Sequence, residues 1–183
     1  MDCITKSTVM GKLSLKIYTL LLILYLVGWN QSTQAGTPAG ESLQTEQRAK
    51  VYYVGDKALV EEYEKLNLDA THPNLLNPQV SENEHDAVVK SWSELHQRIG
   101  SYLSQKGFDW GTEAPTISIV HKIYFDQDGK ITSYFFNVLN PAVEAEKKKE
   151  FAQLLTDFAQ ENSIALKREE NFAQCGKTRY ENN

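Results

Sequence analysis

Apolar residues recur at three- and four-residue steps between Ser81 and Lys106, which is the strongest periodic pattern in the chain. This spacing places them on one side of an α-helix. Ser81 and Glu84 have the spacing of a capping box, and Gly107 supplies the left-handed residue that commonly ends a helix. The pattern therefore predicts a long amphipathic helix whose apolar side carries Val88, Val89, Trp92, Leu95, Ile99, Tyr102 and Leu103.

A second long helix is predicted from Pro141 to Glu161. Asn140 is a favourable N-cap residue, and Pro141 suits the first helical position, where its missing N–H is not needed. The charged run EAEKKKE pairs Glu with Lys at helical spacing, which is typical of a solvated face. The buried side of this helix is expected to carry Phe151, Leu154, Leu155, Phe158 and Ala159.

Shorter elements flank these two helices. The β-branched and aromatic run Lys50–Val54 predicts a strand, and Asp56 can cap a short helix that extends to about Leu68. After the second long helix, the pattern predicts one or two further strands, over Ile164–Arg168 and Phe172–Tyr180.

The stretch HKIYFDQDGKITSYFFN, residues 121–137, contains two aromatic-rich runs separated by DQDG. A calcium-binding EF-hand loop has about 12 residues, with Gly sixth and a bidentate Glu twelfth. Counted from Asp126, Gly129 is fourth and Asn137 is twelfth, so the stretch does not match that loop. It predicts instead a turn between two antiparallel strands, with Gly129 in the left-handed region.

The turn decides which side chains share a face of this hairpin, because it pairs Asp126 with Lys130. With that pairing, Tyr124, Tyr134 and Phe136 lie together on one face. An exposed face of this kind would bind a partner or a ligand. The alternative is a covering layer, and burial is favoured because both faces are apolar. The opposite face would carry Ile117, Ile119, Ile123, Phe125, Ile131, Phe135 and Leu139.

These elements predict an α+β fold in which a twisted antiparallel sheet, centred on the Ile117–Leu139 hairpin, packs against two long helices. We expect a single domain over residues 49–183. A flexible leader with Gly, Pro and polar residues is expected at 36–48. A chain of this length can enclose one hydrophobic core without crosslinks.

The N-terminal segment has the features of an export signal. Three lysines precede a largely apolar stretch of 13 residues, Ile17–Trp29. A membrane-spanning helix needs about 20 apolar residues, whereas a signal-peptide core has roughly 7 to 15. Thr33 and Ala35 are small residues at the positions that precede a cleavage site before Gly36. We therefore expect a signal peptide at 1–35, no permanent membrane anchor after cleavage, and a periplasmic or secreted product.

Charge disfavours nucleic-acid binding. Without residues 1–35 the chain has 16 basic and 23 acidic side chains, a net charge of about −7. Such a charge keeps a small domain soluble and repels a phosphate backbone. The sequence also contains no phosphate-cradling glycine loop or dinucleotide fingerprint, so we expect neither nucleic-acid partners nor a cofactor.

Candidate catalytic chemistry is limited to Cys175 and His121. Cys3 would leave with the signal peptide, so we expect Cys175 to be either buried and inert or reactive. His121 lies among isoleucines without a second metal ligand nearby in sequence, which favours a hydrogen-bonded core histidine over a metal site. A small hydrolase or thiol enzyme would require these two side chains to meet, and that remains the alternative to a non-enzymatic domain.

The segment Ile117–Tyr180, with IVHKIYFDQDGKITSYFF as its hairpin, resembles the C-terminal domain of TonB-type energy transducers. Those domains contain a similar strand, a D-x-D-G-K-like turn, a second strand and a helix. The resemblance implies an α+β fold that binds an extended partner segment by strand addition. We therefore expect a protein-binding or structural module of the cell envelope, with another envelope protein as its partner.

Overall fold

The computed structural model describes residues 48–182, which belong to one compact unit. They form a mixed α+β structure, as the sequence predicted. The expected signal peptide and residues 36–47 of the leader lie outside the described residues. In chain order the elements are β1 (Lys50–Tyr53), α1 (Lys57–Leu66), α2 (Pro78–Ser81), α3 (His85–Gln105), β2 (Thr116–Phe125), β3 (Ile131–Val138), α4 (Ala145–Glu161) and β4 (Phe172–Glu181).

The four strands form one sheet in the order β1-β3-β2-β4. The central pair β2–β3 and the pair β2–β4 are antiparallel, but β1 runs parallel to β3. The expectation of a purely antiparallel sheet is therefore wrong for β1. The chain passes through α1, α3 and β2 between these two strands, and such a crossover allows them to run in the same direction.

The DQDG segment is a turn, as predicted. The N–H of Gly129 donates to the carbonyl of Asp126 at 3.0 Å, and the N–H of Asp126 donates to the carbonyl of Lys130 at 3.0 Å. Gly129 has φ +83°, and a Cβ at this position would lie 2.6 Å from the carbonyl oxygens of Ile164 and Leu166. Glycine is thus required for its backbone angle and for the close approach of a second chain segment.

A β-bulge in the hairpin changes the predicted register. Phe125 pairs with Ile131 as expected, but Tyr124 then pairs with Ser133, so Thr132 is an extra residue in β3. Every pair beyond the bulge is displaced by one residue. Tyr134 and Phe136 therefore share a face with Ile123 and His121, whereas Phe135 shares the opposite face with Tyr124.

Several element boundaries also differ from the predicted ones. The helix expected at Ser81 begins at His85, because Asn77 caps the separate one-turn helix α2 instead. Similarly, α4 begins at Ala145, and the side chain of Asn140 accepts from the N–H of Ala142 in the preceding turn. Asp56 does cap α1, accepting from the N–H of Leu59 at 3.1 Å.

The expected strand Ile164–Arg168 is irregular, and an isolated bridge pairs the preceding residue, Ser163, with Lys130. Its backbone packs against the hairpin turn: the N–H of Ile164 donates to Gly129 at 2.8 Å, and that of Arg168 to Gln127 at 2.9 Å. The segment therefore supports the turn rather than extending the sheet.

The helices form layers on the two faces of the sheet. The long helices α3 and α4 pack on one face, here called the core face, where Ile117, Ile119 and Ile123 are fully buried. The opposite face, here called the α1 face, is covered in part by α1 and the following turn Leu68–Ala70, through Tyr63 and Asp69. No helix among residues 48–182 is long and apolar enough to cross a bilayer.

Candidate functional site: the open edge of β4

The last strand, β4, lies at one edge of the sheet and pairs with β2 along its whole length. In an antiparallel edge strand, alternate residues direct their N–H and C=O groups away from the neighbouring strand. In β4 these are the odd-numbered residues, because Ala173 exchanges hydrogen bonds outward with Pro73 and Leu75 at 2.9 and 2.8 Å. The side chains of the same residues lie on the α1 face.

The first half of this edge is covered. Besides the two bonds at Ala173, the N–H of Cys175 donates to the side-chain oxygen of Asn74 at 3.0 Å. Asn74 also forms an isolated parallel bridge to Ala173. The segment 73–75 therefore acts as a short added strand along Phe172–Cys175.

The second half of the edge, Lys177–Glu181, is open in the part of the chain that the structure describes. By the same alternation, the backbone N–H and C=O groups of Lys177, Arg179 and Glu181 are directed outward, and no described backbone group bonds to them. The side chains of all three are exposed. An edge with unpaired backbone groups is a template for pairing with another extended segment.

A groove of about 490 Å³ runs along this open edge, bounded on its other side by α3. The helix contributes a row of small and polar residues, namely Ser93, Gln97, Gly100, Ser101 and Ser104. The ring of Tyr180 lies against the helix at Gly100, where a Cβ would be in ordinary van der Waals contact with the ring at 3.7 Å. Phe108 and Trp110 also line the groove.

The C-terminal end of β4 is held in place by Asn182. Its side-chain amide donates to the carbonyls of Thr112 and Ala114, and its side-chain oxygen accepts from the N–H of Trp110 at 3.1 Å. The N–H of Asn182 donates to the carbonyl of Pro115 at 3.0 Å. The edge is therefore fixed beside the groove, so little ordering is needed when another strand pairs with it.

Beneath the groove lies a buried group of polar rings on the core face. The Nδ1 atom of His96 is 2.5 Å from the hydroxyl of Tyr180. The two ring nitrogens of His121 are 2.9 Å from the Tyr134 hydroxyl and 2.7 Å from the Thr178 hydroxyl. The rings of His96 and His121 have centroids 4.6 Å apart. A Cβ at Gly176 would lie 2.9 Å from the Trp92 ring, so glycine makes room for this cluster.

Both histidines are neutral near pH 7. Burial lowers the pKa of His96 to about 3, and burial together with the neighbouring His96 lowers the pKa of His121 well below its usual value. Burial raises the pKa of Tyr134 and Tyr180. A general base works best with a pKa near the operating pH, so the cluster is suited to structure rather than to proton transfer.

The residues considered for an aromatic binding surface are buried and divided between two faces. Tyr134 and Phe136 are inaccessible on the core face, and Tyr124, on the α1 face, is 1% exposed beneath Tyr63 and His72. The predicted placement of all three on one face is wrong because of the bulge at Thr132. No exposed aromatic surface is formed by them.

The considered pair of Cys175 and His121 does not meet, although their strands are neighbours. His121 pairs with Gly176 and Cys175 pairs with Lys122, so the two side chains lie on opposite faces of the sheet. Cys175 is 6% exposed and is not a free thiol. A nucleophile and its base must lie within hydrogen-bond reach, which this register prevents.

The acidic residues of the DQDG turn are engaged in protein contacts. The carboxylate of Asp126 accepts from the N–H groups of Asp128 and Lys130, and that of Asp128 accepts from Lys167. Across residues 48–182, no group of three or more His, Cys, Asp or Glu side chains is arranged to hold a metal ion. Comparison of the chain with protein-family models, curated proteins and solved structures gives no match.

The burial of His96 was not predicted from the sequence, and strand addition was anticipated without being assigned to the β4 edge. The position of His96, four residues after Trp92 on the apolar side of the long helix, was a signal that it would be buried. The alternation of Gly176, Thr178 and Tyr180 with Lys177, Arg179 and Glu181 was a second signal, since it is typical of a strand with one solvent-exposed side.

Proposed function

We propose that this chain is an exported, non-enzymatic protein-binding module of the cell envelope, and that it captures an extended segment of a partner by strand addition along Lys177–Glu181. The observation that carries the proposal is the open half of the β4 edge beside a groove. Strand addition uses main-chain hydrogen bonds for affinity and neighbouring pockets for specificity. The open backbone edge would supply the hydrogen bonds, and the adjacent groove would supply the pocket.

The segment 73–75 supports this mode from within the molecule. It already adds to the first half of β4 through backbone bonds at Ala173 and a side-chain bond at Cys175. A partner segment at Lys177–Glu181 would continue the same row of outward-facing groups. The other edge strand, β1, has only four residues and is a shorter template.

The resemblance of Ile117–Tyr180 to the C-terminal domain of TonB-type energy transducers agrees with the proposed mode, since those domains bind by strand addition. The proposal of export rests on the N-terminal sequence, in which a short apolar core is followed by small residues. A partner in the periplasm or outside the cell follows from it.

The test uses a proline that removes one outward N–H. Arg179→Pro takes away an outward donor without removing a ladder bond to β2, whereas Arg179→Ala keeps the donor and removes the same side chain. Twelve-residue peptides are first selected from a displayed random library against the immobilised domain. Their affinities are then measured for both variants, and circular dichroism and thermal unfolding check that both variants fold.

We expect Arg179→Pro to weaken binding at least about tenfold relative to Arg179→Ala, because a hydrogen bond is lost and the proline ring occupies the pairing position. Equal affinity for two folded variants would contradict strand addition at this edge. Selected peptides that leave the amide exchange rates of Lys177 and Arg179 unchanged would contradict it independently.

A further inference from the structure

The open edge is basic on the side that faces solvent. Lys177 and Arg179 project from β4 onto the α1 face, where their cross-strand neighbours in β2 are Val120 and Ser118. Neither neighbour is charged, and neither basic side chain forms an ion pair with another described residue. Directly opposed charges of opposite sign stabilise a strand pair, whereas like charges destabilise it.

The two sides of an added strand would meet different surroundings. Its residues opposite Lys177 and Arg179 would share their face, beside two positive charges. Its alternate residue, opposite Thr178, would share the core face and point toward the groove and α3. That part of α3 presents serine hydroxyls, the Gln97 amide and Gly100, without charged side chains.

We propose that the partner segment carries acidic side chains at two alternate positions, opposite Lys177 and Arg179, with a small polar residue between them. This inference rests on the proposed strand addition and adds the chemistry of the partner. The chain as a whole is negative, with a formal net charge of −5, so an acidic segment is repelled elsewhere on average. The local pair of basic residues therefore selects the register as well as the partner.

Glu181 limits the number of acidic residues that the partner segment can carry. This exposed acidic residue lies on the same face as Lys177 and Arg179, so a third acidic residue opposite it would be unfavourable. The preferred segment thus has two acidic positions rather than a uniformly acidic run. This separates the proposal from nonspecific attraction between a basic patch and a polyanion.

The test uses three peptides that differ only at the two alternate positions. The first is acetyl-Thr-Ser-Asp-Ser-Asp-Ser-Thr-amide, whose symmetric core serves either strand direction, and the others have Asn or Lys in place of both Asp residues. Binding to the full chain is followed by amide chemical shifts and amide exchange at low salt. We expect the Asp peptide to bind about fivefold tighter than the Asn peptide, and the Lys peptide to bind most weakly of the three.

Two charge-reversed variants assign the effect to the edge. In the double variant Lys177→Glu, Arg179→Glu we expect the order of the Asp and Lys peptides to invert. The control Lys149→Glu reverses the charge of one exposed lysine of α4, which is half the charge change of the double variant, and should leave the order unchanged. A preference for Asp that persists in the double variant would overturn the inference.

The outcomes separate this inference from the proposed function. If all three peptides bind equally and protect the amides of Lys177 and Arg179, strand addition stands and the acidic preference is wrong. If the Asp peptide binds preferentially without protecting those amides, the charges attract it but strand addition is wrong. If no peptide shifts or protects the edge amides at millimolar concentration, both are overturned.

Discussion

The two faces of the sheet are covered by helices in different ways. On the core face, Phe136 of β3 stacks on Tyr53 and contacts Phe151 of α4 with ring centroids 4.9 Å apart. On the α1 face, the adjacent Phe135 stacks on Tyr63 at 4.4 Å, yet α1 contains no buried residue. The helices on the core face are held by interlocking apolar side chains, whereas α1 lies on the sheet without a buried residue of its own.

Polar contacts hold the α1 face together where apolar contacts are few. The carboxylate of Asp69 accepts from Lys122 and, at 2.7 Å, from the hydroxyl of Tyr124. The hydroxyl of Tyr124 is also 2.5 Å from that of Tyr63. Neighbouring aromatic rings that are similarly buried are thus covered by different kinds of contact, apolar packing on the core face and polar contacts on the α1 face.

The largest expected effect comes from truncating the two adjacent phenylalanines. Phe136→Ala should lower the free energy of unfolding by about 3 to 5 kcal/mol, because the interlocked core cannot close around the cavity. Phe135→Ala should lower the free energy of unfolding by about half as much, because α1 can move toward the sheet and partly fill the cavity. Urea unfolding of both variants measures the difference, and equal losses would contradict the proposed difference between the faces.

An intermediate effect is expected from pH, and it arises on the core face. Below pH 6.5 the unfolded chain binds a proton at His96 that the folded chain binds only near its lowered pKa of about 3. The free energy of unfolding should therefore fall by about 1.4 kcal/mol per pH unit for this group as the pH decreases below 6.5. His121, whose pKa is also lowered, acts in the same direction.

Unfolding experiments at pH 7 and pH 5 check this dependence. The contribution of His96 is fully present above pH 6.5 and is lost as the pH falls, amounting to about 2 kcal/mol at pH 5. His96→Phe should flatten the profile, whereas His85→Gln, at the less buried start of α3, should not. A His96 ring signal that titrates between pH 5 and 8 in the folded wild-type chain would refute the expectation.

The smallest expected effect is on the α1 face. Asp69→Asn leaves the buried Lys122 without its anionic partner, but the Asp69 side chain is 59% exposed, so water moderates the loss. We expect about 1 to 2 kcal/mol in the free energy of unfolding. Amide exchange should show the loss concentrated at Leu68–Ala70. The double variant Asp69→Asn, Lys122→Met should regain part of the lost stability. Uniformly faster amide exchange throughout the sheet would contradict a local role for the Asp69–Lys122 contact.

Much of the fold could be predicted because the signals were local. The helix-length apolar stripe around Trp92, the N-cap at Asp56 and the turn at Gly129 depend on residues close together in the chain. The parallel pairing of β1 with β3 could not be predicted in this way. It joins residues such as Val51 and Tyr134, whose pairing depends on the packing of everything between them.

The candidate site was less predictable, for two physical reasons. One extra residue, Thr132, inverts the faces of β3, and no feature near it distinguishes a bulge from regular pairing. The open edge depends on where segment 73–75 ends its pairing with β4, at about Cys175, which is a tertiary contact. By contrast, the division of Cys175 and His121 between two faces follows from strand register, which the sequence left open.

The bulge at Thr132 also determines where the gene can change in length. Loss of this single codon would remove the extra residue and leave Ser133 opposite Tyr124, so Tyr134 and Phe136 would stay on the core face. Loss of the Phe135 codon would instead move Phe136 and the rest of β3 to the opposite face. Insertions at the exposed Gln127–Asp128 tip would leave the strand pairing intact. Among descendants of this chain, in-frame insertions and deletions should therefore accumulate at the tip of the hairpin and at the bulge, and be purged within the regular part of β3.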